Sequence, residues 1–219
     1  MPGPSSKSWP AAHIVDGVVP ILSLAPLVIA YNTNLVKTEI TGYRDMLRPE
    51  LKGRVGTTEP AAASFVAWYD WLEKTQGGDF LAKFAAQNPR IYPGAVPGTQ
   101  ATASGEAALI AITSPANVIT LIASGAPIKM VITNPSLGVR WGSTILGWAR
   151  RPNAAQVLMD YLMSPRGQSA WHGMGESASP LPGIPGAIDA RTITPYDHKP
   201  YTPEVVKAYQ DKWNRLFKP

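Results

Sequence analysis

The chain has 219 residues, of which 45% are hydrophobic and 16% charged, enough to bury one sizeable core or two small ones, so a disordered chain is excluded. Its 20 Lys and Arg against 15 Asp and Glu leave a net charge of +5, but the basic residues are scattered and no nucleic acid partner is expected. It has no cysteine, which excludes disulfides and thiolate metal sites, and its most apolar run, Val18 to Ala30, is broken by Pro20 and Pro26 and too short to span a bilayer.

Residues 1 to 17 carry no clear period and read as an irregular lead-in, without the charged and apolar regions of a secretory signal. Val18 to Tyr31, VVPILSLAPLVIAY, is rich in β-branched residues and reads as one or two extended strands. After the Asn32-Thr33-Asn34 turn, Tyr43 to Leu47 forms a single helical turn, and Arg54 to Thr57 a short strand. From Pro60 to Thr75, Phe65, Val66, Trp68, Tyr69 and Leu72 fall at helical spacing until Gly77-Gly78 stops the helix. Phe80 to Ala86 is a second helix, Ile91-Tyr92 a short strand, and Gly98 to Ser104 a helix ended by Gly105. Ala107 to Ile112 is a buried strand, Ala116 to Ser124 a helix, and Ile128 to Ile132 the next strand. Strands alternating with helices at this spacing predict an α/β layer with a mainly parallel sheet.

Beyond Asn134-Pro135 the character changes. Trp141 to Trp148 fits a strand or a helix. Asn153 to Met163 reads as a helix capped by Asn153, and Ser164-Pro165 starts another that runs to about His172. Ser177 to Ile193 is a long proline- and glycine-rich loop. Thr202-Pro203-Glu204 starts a last helix with Val205, Tyr209, Trp213 and Leu216 spaced to face a core.

Leu51 to Val66, LKGRVGTTEPAAASFV, is the stretch with the clearest chemical implication. A strand runs into Thr57-Thr58 and then into a proline-led helix, so free N–H groups and the positive end of a helix dipole converge on one spot suited to an anion. The plain alternative is that Thr57 or Thr58 caps the helix and Pro60 occupies its first turn. Thr113-Ser114-Pro115 repeats the arrangement one strand later. Ligands in such sheets bind at the carboxyl ends of strands, beside helix N-termini.

The ordered motifs PLVIAYNTNLV, DMLRPELKGRVGTTEPAAASFVAWYDWL, ASGEAALIAITSPANV, GAPIKMVITNPSLGVRWG and PNAAQVLMDYLMSPRGQSAW resemble the extracellular solute-binding proteins of ATP-driven importers, in the branch that includes the ferric-ion-binding proteins. The resemblance covers about Val18 to Lys218. It implies a periplasmic-binding-protein-like α/β fold in which two lobes close on a ligand. Residues 18–31 would hold the first crossover strand, 32–132 a complete second α/β lobe, and 133–219 the helix-rich C-terminal part of the first lobe. Family members carry a further half-lobe before the first crossover, so a truncated chain, or a homo-oligomer completing that lobe, is expected.

The same resemblance places Thr57, Thr58, Thr113 and Ser114 on one wall of a pocket for a carboxylate, phosphonate or phosphate ester, with hydroxyls and helix N-termini as donors. Arg140 and Trp141, after the second crossover, would add a fork-shaped anion contact and an apolar stacking face; their alternative is a surface salt bridge and a core aromatic. Ferric-ion binders present adjacent tyrosines where this chain has Pro115 and Ala116, so iron is not expected. No cofactor or metal is expected either, because His13, His172 and His198 lie apart without ligand spacing.

Trp68, Tyr69 and Trp71 read as core packing with an exposed partner, and Asp70 and Glu73 as a solvated face. No nucleophile elbow, phosphate loop or dinucleotide fingerprint is present, so an enzyme is not expected. The sequence therefore predicts the periplasmic substrate-binding component of an importer, which takes a small anionic solute and meets an inner-membrane ABC permease. The rival is a truncated scaffold or oligomerising module that keeps one lobe.

Overall fold

A computed structural model of the chain describes residues 3–218. Met1, Pro2 and Pro219, at the ends of the expected lead-in and C-terminal part, lie outside the described residues. In chain order the strands are β1 (Ile14–Val15), β2 (Val19–Pro26), β3 (Val28–Asn32), β4 (Val55–Thr58), β5 (Arg90–Tyr92), β6 (Leu109–Thr113), β7 (Ile128–Val131), β8 (Ser136–Gly142) and β9 (Ile193–Pro195). The α-helices are α1 (Ala63–Gln76), α2 (Phe80–Ala86), α3 (Ala95–Ser104), α4 (Pro115–Ala123), α5 (Pro152–Leu162), α6 (Pro165–His172) and α7 (Pro203–Phe217). The chain divides into two compact units: Met1–Pro26 with Gly138–Pro195, and Leu27–Leu137 with Tyr196–Pro219.

The second unit is built on a five-stranded sheet in the order β5-β4-β6-β3-β7. Strands β5, β4 and β6 are parallel, and β3 runs antiparallel between β6 and β7. Every residue of β3 and β6 is buried, as expected of central strands covered on both faces, and their Val, Ile, Ala and Leu content suits that position. Ala30, Ile110, Val118 and Ile128 form a core cluster under α4. Helix α3 approaches the sheet so closely that a Cβ on Gly98 would come within 2.6 Å of Ile110 Cδ1. That helix ends at Gly105, whose φ of 86° is the left-handed conformation that glycine adopts without penalty.

On α1 the buried residues are Val66, Ala67, Trp68, Tyr69 and Leu72. Helices α1 and α2 receive α7 against them: Trp213 and Phe217 stack with ring centroids 4.7 Å apart, and Phe217 meets Phe84 edge-on at 5.6 Å. Residues 133 to 219 are divided between the two units, because the last helix completes the core of the second. The physical reason is the aromatic stripe of α7, which matches an aromatic surface on α1 and α2. Trp213 is its buried member, whereas Val205 is 43% exposed and faces no core.

The first unit carries the antiparallel sheet β1-β2-β8-β9. Its core gathers Trp9, Leu22 and Met163 against Ile14, Met159 and Leu181, with a second cluster of Leu24, Ala178 and Ile193. The lead-in is more regular than expected, with 3-10 turns at Pro4–Ser8 and Ala11–His13 before β1. Helix α5 begins at Pro152 with Arg151 before it, so Asn153 lies inside the first turn and does not cap it; proline's fixed φ suits the first helical position. The caps at Ser164 and Thr202 form as predicted, accepting from the Gly167 and Val205 N–H groups.

Candidate functional site

The carboxyl ends of β4 and β6 lie at the same edge of the second unit's sheet. The strands are adjacent and parallel, with Val55 opposite Leu109 and Gly56 opposite Ile110, so β4 ends at Thr58 in step with the last residues of β6. Helices α1 and α4 start just beyond. The four hydroxyl residues singled out from the sequence, Thr57, Thr58, Thr113 and Ser114, therefore gather at one edge.

Their hydroxyl groups are not equivalent. Tyr69 Oη, fully buried on α1, donates to the Thr58 carbonyl at 2.7 Å and lies 2.6 Å from Thr57 Oγ1. With the phenol proton committed to Thr58, Thr57 is the donor in the second bond. Burial pushes the Tyr69 phenol above its ordinary range, although the bond from Thr57 opposes this, so it stays protonated and keeps donating. Thr113 Oγ1 lies 2.7 Å from Thr99 Oγ1 and accepts from Asn117 Nδ2 at 3.2 Å. Thr99 in turn donates to the Ala95 carbonyl. Thr57 and Thr113 thus hold elements together.

Thr58 and Ser114 differ from that pair. Thr58 Oγ1 is fully buried and has no hydrogen-bond partner. Ser114 precedes α4, yet its side chain makes no capping bond. Neither Thr57 nor Thr58 caps α1, which corrects the plain alternative read from the sequence. The strand geometry persists to Glu59, whose N–H bonds to the Tyr92 carbonyl at 3.3 Å, so the helix starts only at Ala63, after Ala62 and with no side-chain cap. The N–H groups of Phe65 and Val66 both reach the Ala62 carbonyl; those of Ala63 and Ser64, in the first turn, have no intrahelical acceptor. The result is two uncommitted hydroxyls beside two helix starts, with Ser114 partly exposed and Thr58 buried.

Arg140 and Trp141 belong to the first unit, on β8. Arg140 stands opposite Leu24 and Trp141 opposite Ser23, and as consecutive strand residues they project to opposite faces of their sheet. Trp141 is 57% exposed, so it is not a core aromatic. Within the same unit, burial first and the Arg140 charge second hold the His13 pKa below its ordinary value.

A family model described as bacterial extracellular solute-binding protein matches residues 4–175. The chain belongs to the bacterial extracellular solute-binding proteins. This solute-binding protein is similar over its whole length (100%) to the periplasmic binding protein AfuA from Actinobacillus pleuropneumoniae, solved with exogenous fructose-6-phosphate bound, at 19% identity, 76% of that chain and a TM-score of 0.71. It is also similar to the substrate binding protein of an ABC transporter from Agrobacterium tumefaciens, at 15% identity over 98% of this chain and 71% of that one, with a TM-score of 0.79. Iron-bound HitA from Pseudomonas aeruginosa matches at 18% identity over 100% of this chain and 74% of that one, with a TM-score of 0.67. No curated protein matches the chain. At these identities the likeness is one of fold, the α/β fold of periplasmic binding proteins, and the family is one of binding proteins.

Among the described residues, no group of three or more His, Cys, Asp or Glu side chains is placed to hold a metal ion, and no helix is long and apolar enough to cross a membrane. Pro115 opens α4.

Sequence reasoning missed two supports of the site. Tyr69 lies eleven residues after Thr58, and its helical spacing marked it only as a packing residue. Asp70 and Glu73, read as a solvated face, are anchors: Tyr201 Oη donates to Asp70 at 2.7 Å, and Tyr209 Oη and Lys212 Nζ bond Glu73 at 2.6 and 2.7 Å. Asp70 also pairs with Lys74, four residues along the helix.

Proposed function

We propose that this solute-binding protein works in the periplasm as the substrate-binding component of an ABC importer, capturing a small anionic solute and passing it to an inner-membrane permease. The observation that carries the reading is the Thr58 hydroxyl, buried and unpartnered at the end of β4. Burying such a group without a bond costs about 1–3 kcal/mol, a cost that an oxygen-rich ligand would remove. Ser114 and the first-turn N–H groups of α1 and α4 supply further donors that favour negative charge. A carboxylate, a phosphonate or a phosphate ester fits this donor set. On the first unit, Arg140 carries a charge and Trp141 an exposed apolar face.

Titration calorimetry against citrate, methylphosphonate and glycerol phosphate, preceded by a thermal-shift screen, tests the reading. Binding of at least one of these, weakened in both Thr58→Ala and Ser114→Ala without large loss of stability, is the expected result. Unchanged affinity in both variants would remove the site assignment, and silence across the screen would remove the anionic solute. Arg140→Gln and Trp141→Ala test the other two residues in the same assay.

A second reading, self-association, draws on a different observation. Helix α5 leaves Val157, Leu158 and Tyr161 exposed, at 72%, 57% and 42%. Light scattering after size exclusion decides it: a dimer lost in Leu158→Lys supports an oligomerising module, and a monomer at high concentration removes it.

A further inference from the structure

The unpartnered Thr58 hydroxyl is useful to a ligand only if its place is fixed, and the strand alone does not fix it. Thr58 is the last residue of β4, and the segment from Glu59 to Ala62 that follows is neither strand nor helix. Beyond it the ladder adds the bond from Glu59 N–H to the Tyr92 carbonyl at 3.3 Å. Contacts from outside the strand hold its other side.

Three contacts do so, and they lead to α7 or to Lys218, the residue that follows it. The Thr58 carbonyl accepts from Tyr69 Oη, and Thr57 Oγ1 donates to Tyr69 Oη, so one phenol clamps two consecutive residues. The Tyr69 ring packs against Trp213 and Phe217 of α7, with centroids 5.8 and 5.9 Å away. Glu59 pairs with Lys218 at 2.6 Å, and the Pro60 carbonyl accepts from Gln210 Nε2 at 2.8 Å. Helix α7 itself is tied to α1 through Glu73, which takes both Tyr209 and Lys212. Helix α7 and the residue after it therefore hold Glu59 and Pro60 directly and Thr58 through Tyr69.

We infer that Tyr69 is a positioning residue of the solute site, setting the Thr58 hydroxyl through the Thr58 carbonyl, and that α7 sets Tyr69. The inference rests on the proposed solute site for its functional meaning. Its structural part stands independently of any ligand, because the clamp exists without one. Phe at position 69 keeps the ring contacts with Trp213 and Phe217 and removes both hydrogen bonds, so Tyr69→Phe separates positioning from packing.

Two measurements test this on the full chain. The first uses no ligand: spectra of the protein labelled at threonine methyl groups are compared for the natural chain and Tyr69→Phe. The methyl signals of Thr57 and Thr58 are expected to shift and broaden, while those of Thr99 and Thr113 stay in place. The second is affinity for citrate, methylphosphonate and glycerol phosphate. Tyr69→Phe is expected to weaken binding about tenfold, whereas Leu72→Ala, which destabilises the same helix by emptying the core, leaves the affinity of the folded protein unchanged.

Unmoved Thr58 signals overturn the inference whatever the binding data say. Moved signals with unchanged affinity for a probe that binds the natural chain also overturn it, because the clamp would then not serve the site. If the natural chain binds none of the three probes, the solute reading is the one that fails, and the methyl spectra alone decide whether Tyr69 positions Thr58.

Discussion

Thr57 and Thr58 are adjacent, identical in chemistry and equally buried, yet the structure gives them opposite energetic signs. Thr57 donates to Tyr69, so Thr57→Val leaves the phenol short of a partner and is expected to cost about 1 kcal/mol. Thr58→Val removes a hydroxyl that has no partner, keeps the branched shape, and is expected to raise stability by about 1 kcal/mol, a rise in Tm of about 2–4 °C. It is also expected to weaken solute binding. A pair of thermal melts that moves both variants in the same direction would contradict this account. His172 offers a second prediction at this scale. Its Nε2 faces the Leu22 carbonyl at 3.1 Å and so carries the proton, which leaves Nδ1 to accept from Ser177 Oγ at 2.7 Å, while Ser23 donates to Ser177. Burial holds the imidazole pKa below its ordinary value, against the opposing pull of the Leu22 bond and the Glu176 charge. The folded state therefore takes up a proton less readily than the unfolded chain. Stability is full above the unfolded value of about 6.5 and falls as pH drops through that value toward the folded one. His13, also lowered, adds to the same trend. Tm is expected to fall between about pH 7.5 and about pH 5, and the slope to become shallower in His172→Gln; an unchanged slope in that variant would show that His172 is not a source of it.

Helices and strands were legible where a local rule fixed them, and α7 marks where local rules stop. Its start at Thr202-Pro203 and its buried Trp213 follow from capping and spacing, as does the end of α3 at Gly105. Its partner did not, because the contacts that place it join residues far apart in the chain, with Glu73 separated from Tyr209 by 136 positions. For the same reason Asp70 and Glu73 look solvated in sequence and are anchored in the fold. The start of α1 was misread for a different reason: Thr58 and Pro60 carry a capping signal, but the bond from Glu59 N–H to the Tyr92 carbonyl prolongs the strand, and a cross-strand bond leaves no local trace. At the candidate site, the gathering of the four hydroxyls followed from strand-to-helix order, whereas the division into committed and uncommitted hydroxyls depended on Tyr69, Thr99 and Asn117. Glu73→Leu tests the anchoring of α7. It leaves the Tyr209 hydroxyl and the Lys212 ammonium without their acceptor, and the expected cost is about 1–3 kcal/mol, read as a lower urea midpoint with unchanged slope. Glu73→Gln, which keeps an acceptor oxygen, is expected to lose less.

At the scale of the whole molecule, both units are assembled from separated stretches of chain, and the second takes its last helix from beyond the first unit's final strand. No periodicity marks such a return, and the resemblance implied one body for 133–219 where the fold divides the chain after Pro195. The consequence is that the second unit's core cannot close until the end of the chain is present. Trp213, 1% exposed, and Phe217 fill the space beside Tyr69 and Phe84, and losing a buried aromatic of this kind costs about 3–5 kcal/mol, a large share of a typical total stability. A chain ended at Pro195 is therefore expected to expose the apolar surface of α1 and α2, bind a hydrophobic dye, and lose hydrogen-exchange protection in α1 and α2. Strand β6, in the centre of the sheet, should lose protection with them, because its parallel neighbour β4 is held at its end by Tyr69. Adding a synthetic peptide of residues 196–219 in excess should restore protection by mass action, at a rate proportional to its concentration. Full protection of α1 and β6 in the shortened chain would mean that α7 is an accessory and not part of this core, and would remove with it the coupling proposed between α7 and Thr58.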